Sequence, residues 1–271
     1  ANATRGTFVP GIYGAHPALR RQIVNLPFFL ELAPAVRGER LDMEHSRISA
    51  YCRTLDLQCA LLTRTLTWHT RAGAVVQLRF ERFVSAARPQ LCMQRLVMTA
   101  DRAVSVTLSG GIDARVTSNN HDMFEQVALR QHARNGVECV LRTNCGDTVS
   151  LRTVFTAPAA QWRFDGGARH ARRRTTVRLA PGVPMAVEKR TAVCTSRDRL
   201  PETAGGVIAG AARRSFEELL AEHTNEWERR WRLADVHIDG DARAQRALRV
   251  NLYHLLRALP AGLALVAVGG F

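Results

Sequence analysis

Two clusters around histidine have residue types that could perform acid–base or metal chemistry. His45 lies close to Asp42 and Glu44, and a second histidine lies within the Asn-Asn-His-Asp run of residues 119–122. An imidazole beside carboxylates can bind a metal ion or transfer a proton near neutral pH. Both clusters also have the composition of polar turns. The sequence favours a turn around His45 and a hydrogen-bonded loop histidine in residues 119–122, with the metal or ligand alternative open.

The C-terminal part of the chain holds two more candidates. Asp235, Asp239 and Asp241 resemble half of a calcium loop, but the ligand spacing and the closing glutamate of an EF-hand are absent. Trp227 and Trp231 share one stripe of a helix. The pair could form a platform on which a sugar stacks, but packing against the rest of the fold is the favoured interpretation. No metal site is predicted here.

The acidic residues carry no catalytic signature. Glycoside hydrolysis or inverting phosphorolysis needs a positioned carboxylic acid, and an inverting hydrolase needs a second carboxylate as base. The sequence holds 24 Asp and Glu residues, and none stands in a context that marks it. A G-x-S-x-G elbow, a phosphate loop and a dinucleotide fingerprint are absent. The sequence therefore predicts no catalytic, cofactor-binding or metal-binding residue and no cofactor.

The charge balance is strongly basic. The 271 residues carry a formal net charge of +14, and Lys189 is the only lysine, so arginine supplies nearly all of the positive charge. A nucleic-acid-binding protein usually gathers its basic residues on one face. Here the arginines are spread along the chain, which favours a compositional bias over a surface specific for nucleic acid. The densest run, residues 169–178, is interpreted as a solvated loop that leads into a strand.

Cysteine usage favours a reducing compartment. The six cysteines form no C-x-x-C pair and no zinc-finger spacing with histidine. Disulfides stay an alternative, but most of these cysteines lie in strand-like runs, so buried free thiols are favoured. No signal peptide is recognised, and the apolar stretch at residues 263–268 is too short to span a bilayer. We expect a cytoplasmic protein, read as a fragment or truncated product, with no membrane partner.

The elements that must position these residues are mainly strands. From residue 45 to about 195 the hydropathy alternates with a period of two, as in residues 76–81, where Val76, Leu78 and Phe80 alternate with polar neighbours. Turn signals separate the runs; they are Ala72-Gly73, Gly110-Gly111, Asn135-Gly136, Gly146-Asp147, Gly166-Gly167 and Pro181-Gly182. The pattern predicts an antiparallel β-sandwich over roughly residues 5–200.

Two helices follow the sandwich. Ser215 and Glu218 have the form of a capping box, and the apolar residues behind them recur at helical spacing, which predicts a helix over 216–232. A short strand-like piece is expected at residues 235–238. Asp241 has the type of an N-cap for a second helix over 242–258, which Pro260 and Gly262 should end. The apolar face of this second helix consists of Leu248, Leu252, Leu255, Leu256 and Leu259.

Several segments of the sequence resemble glycoside hydrolase family 65, which holds maltose, trehalose and kojibiose phosphorylases and related hydrolases. Residues 4–13 read TRGTFVPGIY and are similar to the family's RGTY-x-x-G-x-Y. Residues 51–64 read YCRTLDLQCALLTR and are similar to its Y-x-R-x-LD-x-x-x-G-x-L-x-R. The other similar segments are residues 24–27, 41–42, 68, 82–85, 195–198, 227–231, 235–241 and 245.

The resemblance implies an architecture and an activity. It implies a large antiparallel sandwich (a supersandwich) over residues 1–210, and over 211–271 linker helices that lead to an (α/α)6 barrel missing from the sequence. In the family the barrel carries the general acid, so this chain is expected to be a non-catalytic portion. The whole enzyme would act on an α-glucosyl disaccharide and inorganic phosphate, and inverting phosphorolysis would yield β-glucose 1-phosphate. Its own barrel and a second copy in a homodimer are the expected protein partners.

The sequence departs from the family pattern at three places. The family's opening strands should precede residue 4, Ala60 stands at a position where the family usually has glycine, and residues 261–271 do not resemble the approach to a barrel.

A free-standing module that binds carbohydrate or supports assembly is the first alternative function, although aromatic residues make up only 6% of the chain. A basic β protein that binds nucleic acid is the second.

Overall fold

A computed structural model describes residues 6–158, 161–198 and 202–258, together with the backbone of residues 267–269. The strands are β1 (Gly6–Phe8), β2 (Tyr13–His16), β3 (Arg20–Ile23), β4 (Leu32–Val36), β5 (Glu39–Arg40), β6 (Arg47–Asp56), β7 (Leu61–His69), β8 (Val75–Val84), β9 (Leu91–Ala100), β10 (Val104–Asp113), β11 (Phe124–His132), β12 (Gly136–Thr143), β13 (Thr148–Thr156), β14 (Arg163–Gly167), β15 (His170–Leu179), β16 (Met185–Thr195) and β17 (Ala267–Gly269). The helices are α1 (Ala204–Ala211), α2 (Phe216–Ala234) and α3 (Ala242–Ala258).

Two antiparallel sheets form the sandwich. The large sheet has eight strands in the order β11-β12-β13-β16-β9-β8-β7-β6, and the small sheet has five in the order β14-β15-β10-β4-β5. Two short ladders, β2 with β3 and β1 with β17, accompany them. Strands account for the regular structure of the described residues before residue 198, so the predicted β-sandwich is confirmed.

An apolar core of aliphatic and aromatic side chains fills the space between the sheets. Burial of this apolar area is the main favourable term in folding, at about 25 cal/mol per Å² removed from water. We call this cluster the inter-sheet core; its largest members are Leu26, Phe29, Leu66, Trp68, Leu78, Leu96, Met98, Leu108, Leu141, Leu151 and Phe155.

The middle of the outer face of the large sheet is also covered, which the alternation did not predict. Leu78 faces the inter-sheet core, yet Glu81 on the opposite face is only 3% exposed. Phe83, on that same outer face, packs beneath α1 and α2. We call this second cluster the helical core; its residues are Phe83, Leu91, Met93, Phe216, Leu219, His223, Trp227 and Tyr253. A sheet with both faces covered loses the wet face on which a strict two-residue alternation depends.

The two predicted helices are confirmed, and a third was missed. The Ser215 hydroxyl accepts a hydrogen bond from the Glu218 N–H while the Glu218 carboxylate accepts one from the Ser215 N–H, which forms the capping box of α2. The Asp241 carboxylate accepts two N–H bonds from the first turn of α3. Helix α1, capped by Thr203, reads AGGVIAGA, and its paired glycines weaken the helical signal.

The strand predicted at residues 235–238 is wrong. The Gln245 side chain satisfies the backbone there: its amide oxygen accepts a hydrogen bond from the Ile238 N–H at 2.6 Å, and its amide nitrogen donates to the Val236 oxygen at 2.9 Å. The Gln245 side chain therefore makes the backbone hydrogen bonds that a neighbouring strand would otherwise make. Pro260 and Gly262, expected to end α3, lie outside the described residues.

Two of the predicted turns are also wrong, because the glycines lie within strands. Gly110 and Gly111 are part of β10, where a Cβ on Gly111 would lie 2.0 Å from the Ala171 oxygen of β15. The residue pair reflects close approach of two backbones and not a turn. Gly166-Gly167 closes β14, and the turn follows it. The glycine expected at residue 60 has a structural basis, because Ala60 adopts a φ of 49°, in the left-handed region.

The arginine run was placed in the wrong element. Residues 170–178 belong to β15, a strand in the small sheet, rather than to a solvated loop. Arg173 is 3% exposed and donates hydrogen bonds to the Gly136 and Ala133 oxygens at 3.0 and 2.6 Å. The guanidinium binds backbone carbonyls of the large sheet, so it ties the two sheets together.

The six cysteines are free thiols. Cys92, Cys139 and Cys194 are buried in strands, as predicted, whereas Cys52 is exposed and the other two lie partly exposed in turns. Burial raises the pKa of Cys92 to about 11 and that of Cys139 to about 12. These two thiols therefore stay protonated at neutral pH. No helix in the described part of the chain is both long and apolar enough to cross a membrane.

Candidate functional site

The His45 cluster is an exposed turn. The His45 Nδ1 lies 3.2 Å from the Asp42 Oδ2, and the Asp42 Oδ1 accepts a hydrogen bond from the Glu44 N–H at 2.8 Å. The Ser46 N–H donates to the Asp42 carbonyl oxygen and closes the turn. The Glu44 N–H bond and the His45 side chain lower the pKa of Asp42. The favoured interpretation, a polar turn, is confirmed.

Residues 119–122 form a hydrogen-bonded loop. The backbones of Ser118 and His121 bond to each other on either side of the two asparagines, both of which have positive φ. The His121 ring meets the His16 ring edge to face, with centroids 4.2 Å apart. Asp122 accepts the Phe124 N–H and pairs with Arg169. The loop is therefore closed by its own backbone hydrogen bonds, and the Asp122 carboxylate is engaged by neighbours.

The three aspartates after α2 do not converge. Asp235 accepts two hydrogen bonds from Arg249, at 3.0 and 2.7 Å, and Asp239 pairs with His237 at 2.8 Å. Asp241 is engaged in capping α3. Among the described residues no group of three or more His, Cys, Asp or Glu side chains has an arrangement that could hold a metal ion.

The two tryptophans are packing residues. Trp227 is 3% exposed, and its ring stacks on that of Tyr253 with centroids 5.2 Å apart. Trp231 is partly buried and donates its indole N–H to the Leu57 oxygen at 2.8 Å. Because the indole N–H is bonded within the protein and Trp227 is covered, the pair offers no stacking platform to a sugar.

Buried carboxylates are held as anions by arginine. Glu81 accepts hydrogen bonds from Arg79 and Arg95, both at 2.7 Å. Glu138 is held in the same way by Arg130 and Arg152, both at 2.6 Å. Burial acts to raise the pKa of Glu138, but the hydrogen bonds from the two guanidinium groups outweigh burial and lower it. A general acid needs the opposite shift, so Glu138 does not have the character of a proton donor at neutral pH.

Lys189 is the buried cation of the inter-sheet core. Its Nζ donates to the oxygens of Phe29, Glu31 and Gly111, the latter two at 2.9 and 3.3 Å. Burial lowers the pKa of Lys189 to about 7. The side chain is fully buried. The amine therefore binds three carbonyl groups across the two sheets and has no route to a substrate.

An open cleft lies at one end of the sandwich. It has a volume of about 900 Å³ and is lined by Gln131, Ala133, Arg134, Asn135, Phe155, Thr156, Ala157, Gln161, Trp162 and Arg173. The Trp162 ring stacks on Phe155 with centroids 4.8 Å apart. The sequence did not identify this cleft, because the end of β11 with the turn after it, β13, β15 and the segment before β14 all contribute to it.

Comparison with known proteins identifies the family. Residues 1–230 match the model described as glycosyl hydrolase family 65, N-terminal domain, and the chain belongs to that family. Kojibiose phosphorylase of Escherichia coli K12 is 27% identical over 271 residues, covering 95% of this chain and 35% of the relative. Kojibiose phosphorylase of Halothermothrix orenii is 25% identical, covering 96% and 36%. Maltose phosphorylase of Bacillus subtilis is 24% identical, covering 98% and 38%.

A solved structure supports the fold. The putative kojibiose phosphorylase from human microbiome superimposes with a TM-score of 0.82 at 17% identity, covering 93% of this chain and 35% of that one. The chain thus spans little more than a third of the length of the relatives it matches. The sandwich and the helices after it are the N-terminal part of the family's architecture.

Proposed function

We propose that this chain is the non-catalytic N-terminal portion of a family 65 enzyme, and that it supports a catalytic barrel. The observation that carries the proposal is the match over residues 1–230 in a chain that covers about 35% of its relatives. The arginine-clamped state of Glu138, with its lowered pKa, agrees with it, because a glycoside-cleaving site needs a carboxyl group that holds a proton. The division of the chain at residues 210 and 211 stays a prediction.

Helix α3 supports the role of a docking platform. Of its predicted apolar face, Leu248, Leu252 and Leu256 are partly buried and Leu255 is 61% exposed, while Leu259 lies outside the described residues. Tyr253 is the one fully covered side chain among the residues of α3. An amphipathic helix with its apolar stripe open to solvent is stabilised when another element covers it. In our proposal that element is the barrel.

The proposed reaction of the whole enzyme is inverting phosphorolysis. A carboxylic acid of the barrel would protonate the glycosidic oxygen of an α-glucosyl disaccharide, and the second sugar would leave. Inorganic phosphate would attack the anomeric carbon from the opposite face, and β-glucose 1-phosphate would result. The kojibiose and maltose phosphorylases among the relatives support a disaccharide substrate. We also propose a cytoplasmic location and a homodimer.

Activity assays with the chain and with a chimera test this proposal. The purified chain should release no glucose 1-phosphate from maltose, trehalose or kojibiose in the presence of phosphate. A chimera that joins the chain to the unmatched remainder of the Escherichia coli kojibiose phosphorylase should release it. Release above background by the chain alone would contradict the non-catalytic role.

The cleft favours carbohydrate binding as a second candidate function. Trp162 offers an aromatic surface, and Gln131, Asn135 and Gln161 bring amide groups to the same cleft. Aromatic faces with a few polar groups are typical of small-molecule pockets. The Asn135 amide already donates to the Phe155 oxygen at 2.6 Å, so its side chain is held in place. A weakly bound glucosyl sugar is the proposed ligand.

Tryptophan fluorescence measures that binding. Kojibiose or maltose at millimolar concentration should change the tryptophan emission of the native chain, because Trp162 lies in the cleft. Trp162→Ala should lose most of the response. Equal responses in Trp162→Ala and the native chain would assign the signal to other tryptophans and reject the cleft.

A specific nucleic-acid site is not part of the proposal. Many arginines bind carboxylates on separate elements, as Arg115 does with Asp113 and Arg197 with Asp147. At about 0.15 M salt, where the Debye length is about 8 Å, diffuse attraction to a polyanion is largely screened. Oligonucleotide titrations at that salt should show no binding tighter than micromolar and no preference for a sequence or strand form.

A further inference from the structure

The inner face of the large sheet carries three arginines on adjacent strands near its β6 edge. Arg53 of β6 lies directly opposite Arg64 of β7, and Arg64 lies opposite Phe80 of β8. Arg82 lies opposite Leu62 and therefore diagonal to Arg64. Opposite side chains in an antiparallel pair have Cβ atoms about 5 Å apart, and diagonal neighbours are about 7 Å apart. The three guanidinium groups therefore share one small area, which we call the arginine cradle.

The opposite face of the same strands provides an internal comparison. There Arg79 of β8 and Arg95 of β9 share the carboxylate of Glu81. No carboxylate within the described residues forms an ion pair with Arg64 or Arg82. Like charges placed directly opposite in a ladder destabilise it. Arg64 and Arg82 lack a counter-charge of the kind that Glu81 provides on the outer face.

Burial makes that imbalance costly. The Arg64 Nε is buried and has no hydrogen-bond partner, while the guanidinium carbon lies 4.2 Å above the centre of the Phe80 ring. The contact with the ring helps to hold the guanidinium group in place. Burial lowers the pKa of Arg64 and of Arg82; Tyr51 acts against this at Arg64 and Cys92 at Arg82, while repulsion from Arg53 adds to the lowering at both. A buried, unpaired donor on a cation is an unusual state unless an anion completes it.

We propose that Arg53, Arg64 and Arg82 form a binding site for a phosphate-type oxyanion on the inner face of the large sheet. A tetrahedral oxyanion presents enough oxygens to meet guanidinium groups from three strands at once, whereas a single carboxylate satisfies one or two. The cradle is reachable, because Arg53 and the neighbouring Tyr51 are exposed. This site does not depend on the proposed function.

Titration of the chain with inorganic phosphate tests the site. At constant ionic strength maintained with chloride, phosphate and sulfate should raise the thermal midpoint of the native chain in a saturable manner, and acetate should do so far less. Arg64→Gln and Arg82→Gln should each weaken phosphate binding about tenfold or more, since a charge-assisted hydrogen bond is lost. Arg64→Lys keeps the charge and should bind with intermediate affinity.

Arg178 supplies the matched control. It is exposed on β15, in the other sheet, and Arg178→Gln removes the same charge. This variant should bind phosphate as the native chain does. A native chain that gains nothing from phosphate, an equal gain from acetate, or an equal loss in Arg178→Gln would each overturn the proposal. The native titration and Arg64→Lys keep it falsifiable even if a glutamine variant does not fold.

Discussion

The inter-sheet core and the helical core stabilise this protein in different ways. The inter-sheet core is larger and mainly aliphatic with a few aromatic rings, is enclosed by two sheets, and contains Lys189, whose amine is bound to three carbonyl groups. The helical core is smaller and richer in rings, with His223 between Phe83 and Trp227. Its outer helix, α3, leaves Leu255 in solvent. The inter-sheet core is therefore enclosed by protein on both sides, whereas the outer surface of the helical core, on α3, is partly exposed to solvent.

The largest expected effect is at Trp227, the central ring of the helical core. Trp227→Ala should lower the free energy of unfolding by about 3–5 kcal/mol, because a buried indole and its stack on Tyr253 are both lost. Trp231→Ala is the control and should cost less, since Trp231 is only partly buried. Thermal or urea unfolding measures both. Equal losses of stability in the two variants would mean that Trp231 contributes as much to the helical core as Trp227.

Acid should destabilise the helical core through His223. Burial lowers the pKa of His223 to about 4 from 6.5, so the folded state keeps the imidazole neutral while the unfolded chain takes up a proton. A lowered histidine pKa means that stability is lost as the pH falls from about 6.5 towards 4. Between pH 7 and 5 the loss should be about 2 kcal/mol.

The His223→Asn variant isolates that contribution. An asparagine oxygen can still accept the Ala86 N–H, which His223 Nδ1 accepts at 3.0 Å, but the residue does not titrate. The variant should be less stable at pH 7 and should lose less between pH 7 and 5 than the native chain. An unchanged pH dependence, measured by urea unfolding at both values, would show that other groups cause the acid effect.

Raising the pH should stabilise the protein through Lys189 in the inter-sheet core. The pKa of Lys189 falls from 10.5 to about 7 on folding, so the unfolded chain binds the extra proton between these values and stability rises with pH. From pH 7 to 9 the gain should be about 2 kcal/mol at most. Lys189→Met should lack this gain, although it leaves three carbonyl oxygens unpaired. A native chain that is no more stable at pH 9 than at pH 7 would contradict the low pKa.

The smallest effect is expected on the open face of α3. Leu255→Gln should change the free energy of unfolding of the isolated chain by about 0.5 kcal/mol or less, because the side chain is already in solvent. In the chimera with a phosphorylase barrel the same substitution should destabilise the protein more. A large loss in the chain alone would show that α3 is covered without a barrel.

The sequence predicted the local elements well and the contacts between them poorly. Ser215 and Glu218 predicted the start of α2 because both partners of a capping box lie within one helical turn. The burial of Glu81 was not predicted, because it depends on helices far along the chain. The same limit explains Gly110 and Gly111, whose close neighbour, Ala171, belongs to another strand.

The candidate sites show the same limit. The cleft around Trp162 brings together four separate segments, and no short motif marks any of them. Arg53 and Arg64 do stand in a family-like segment, but only the ladder register reveals that they face each other. The strand register and tertiary contacts were therefore required to find the arginine cradle.

The single lysine of this chain has a practical consequence for chemical labelling. Lys189 is fully buried, so reagents that modify side-chain amines have no side-chain target while the sheets stay together. When the sandwich opens, one amine becomes reactive at a known position. The rate at which that residue is acylated therefore reports opening of the sandwich directly, and mass spectrometry can read it without any introduced probe.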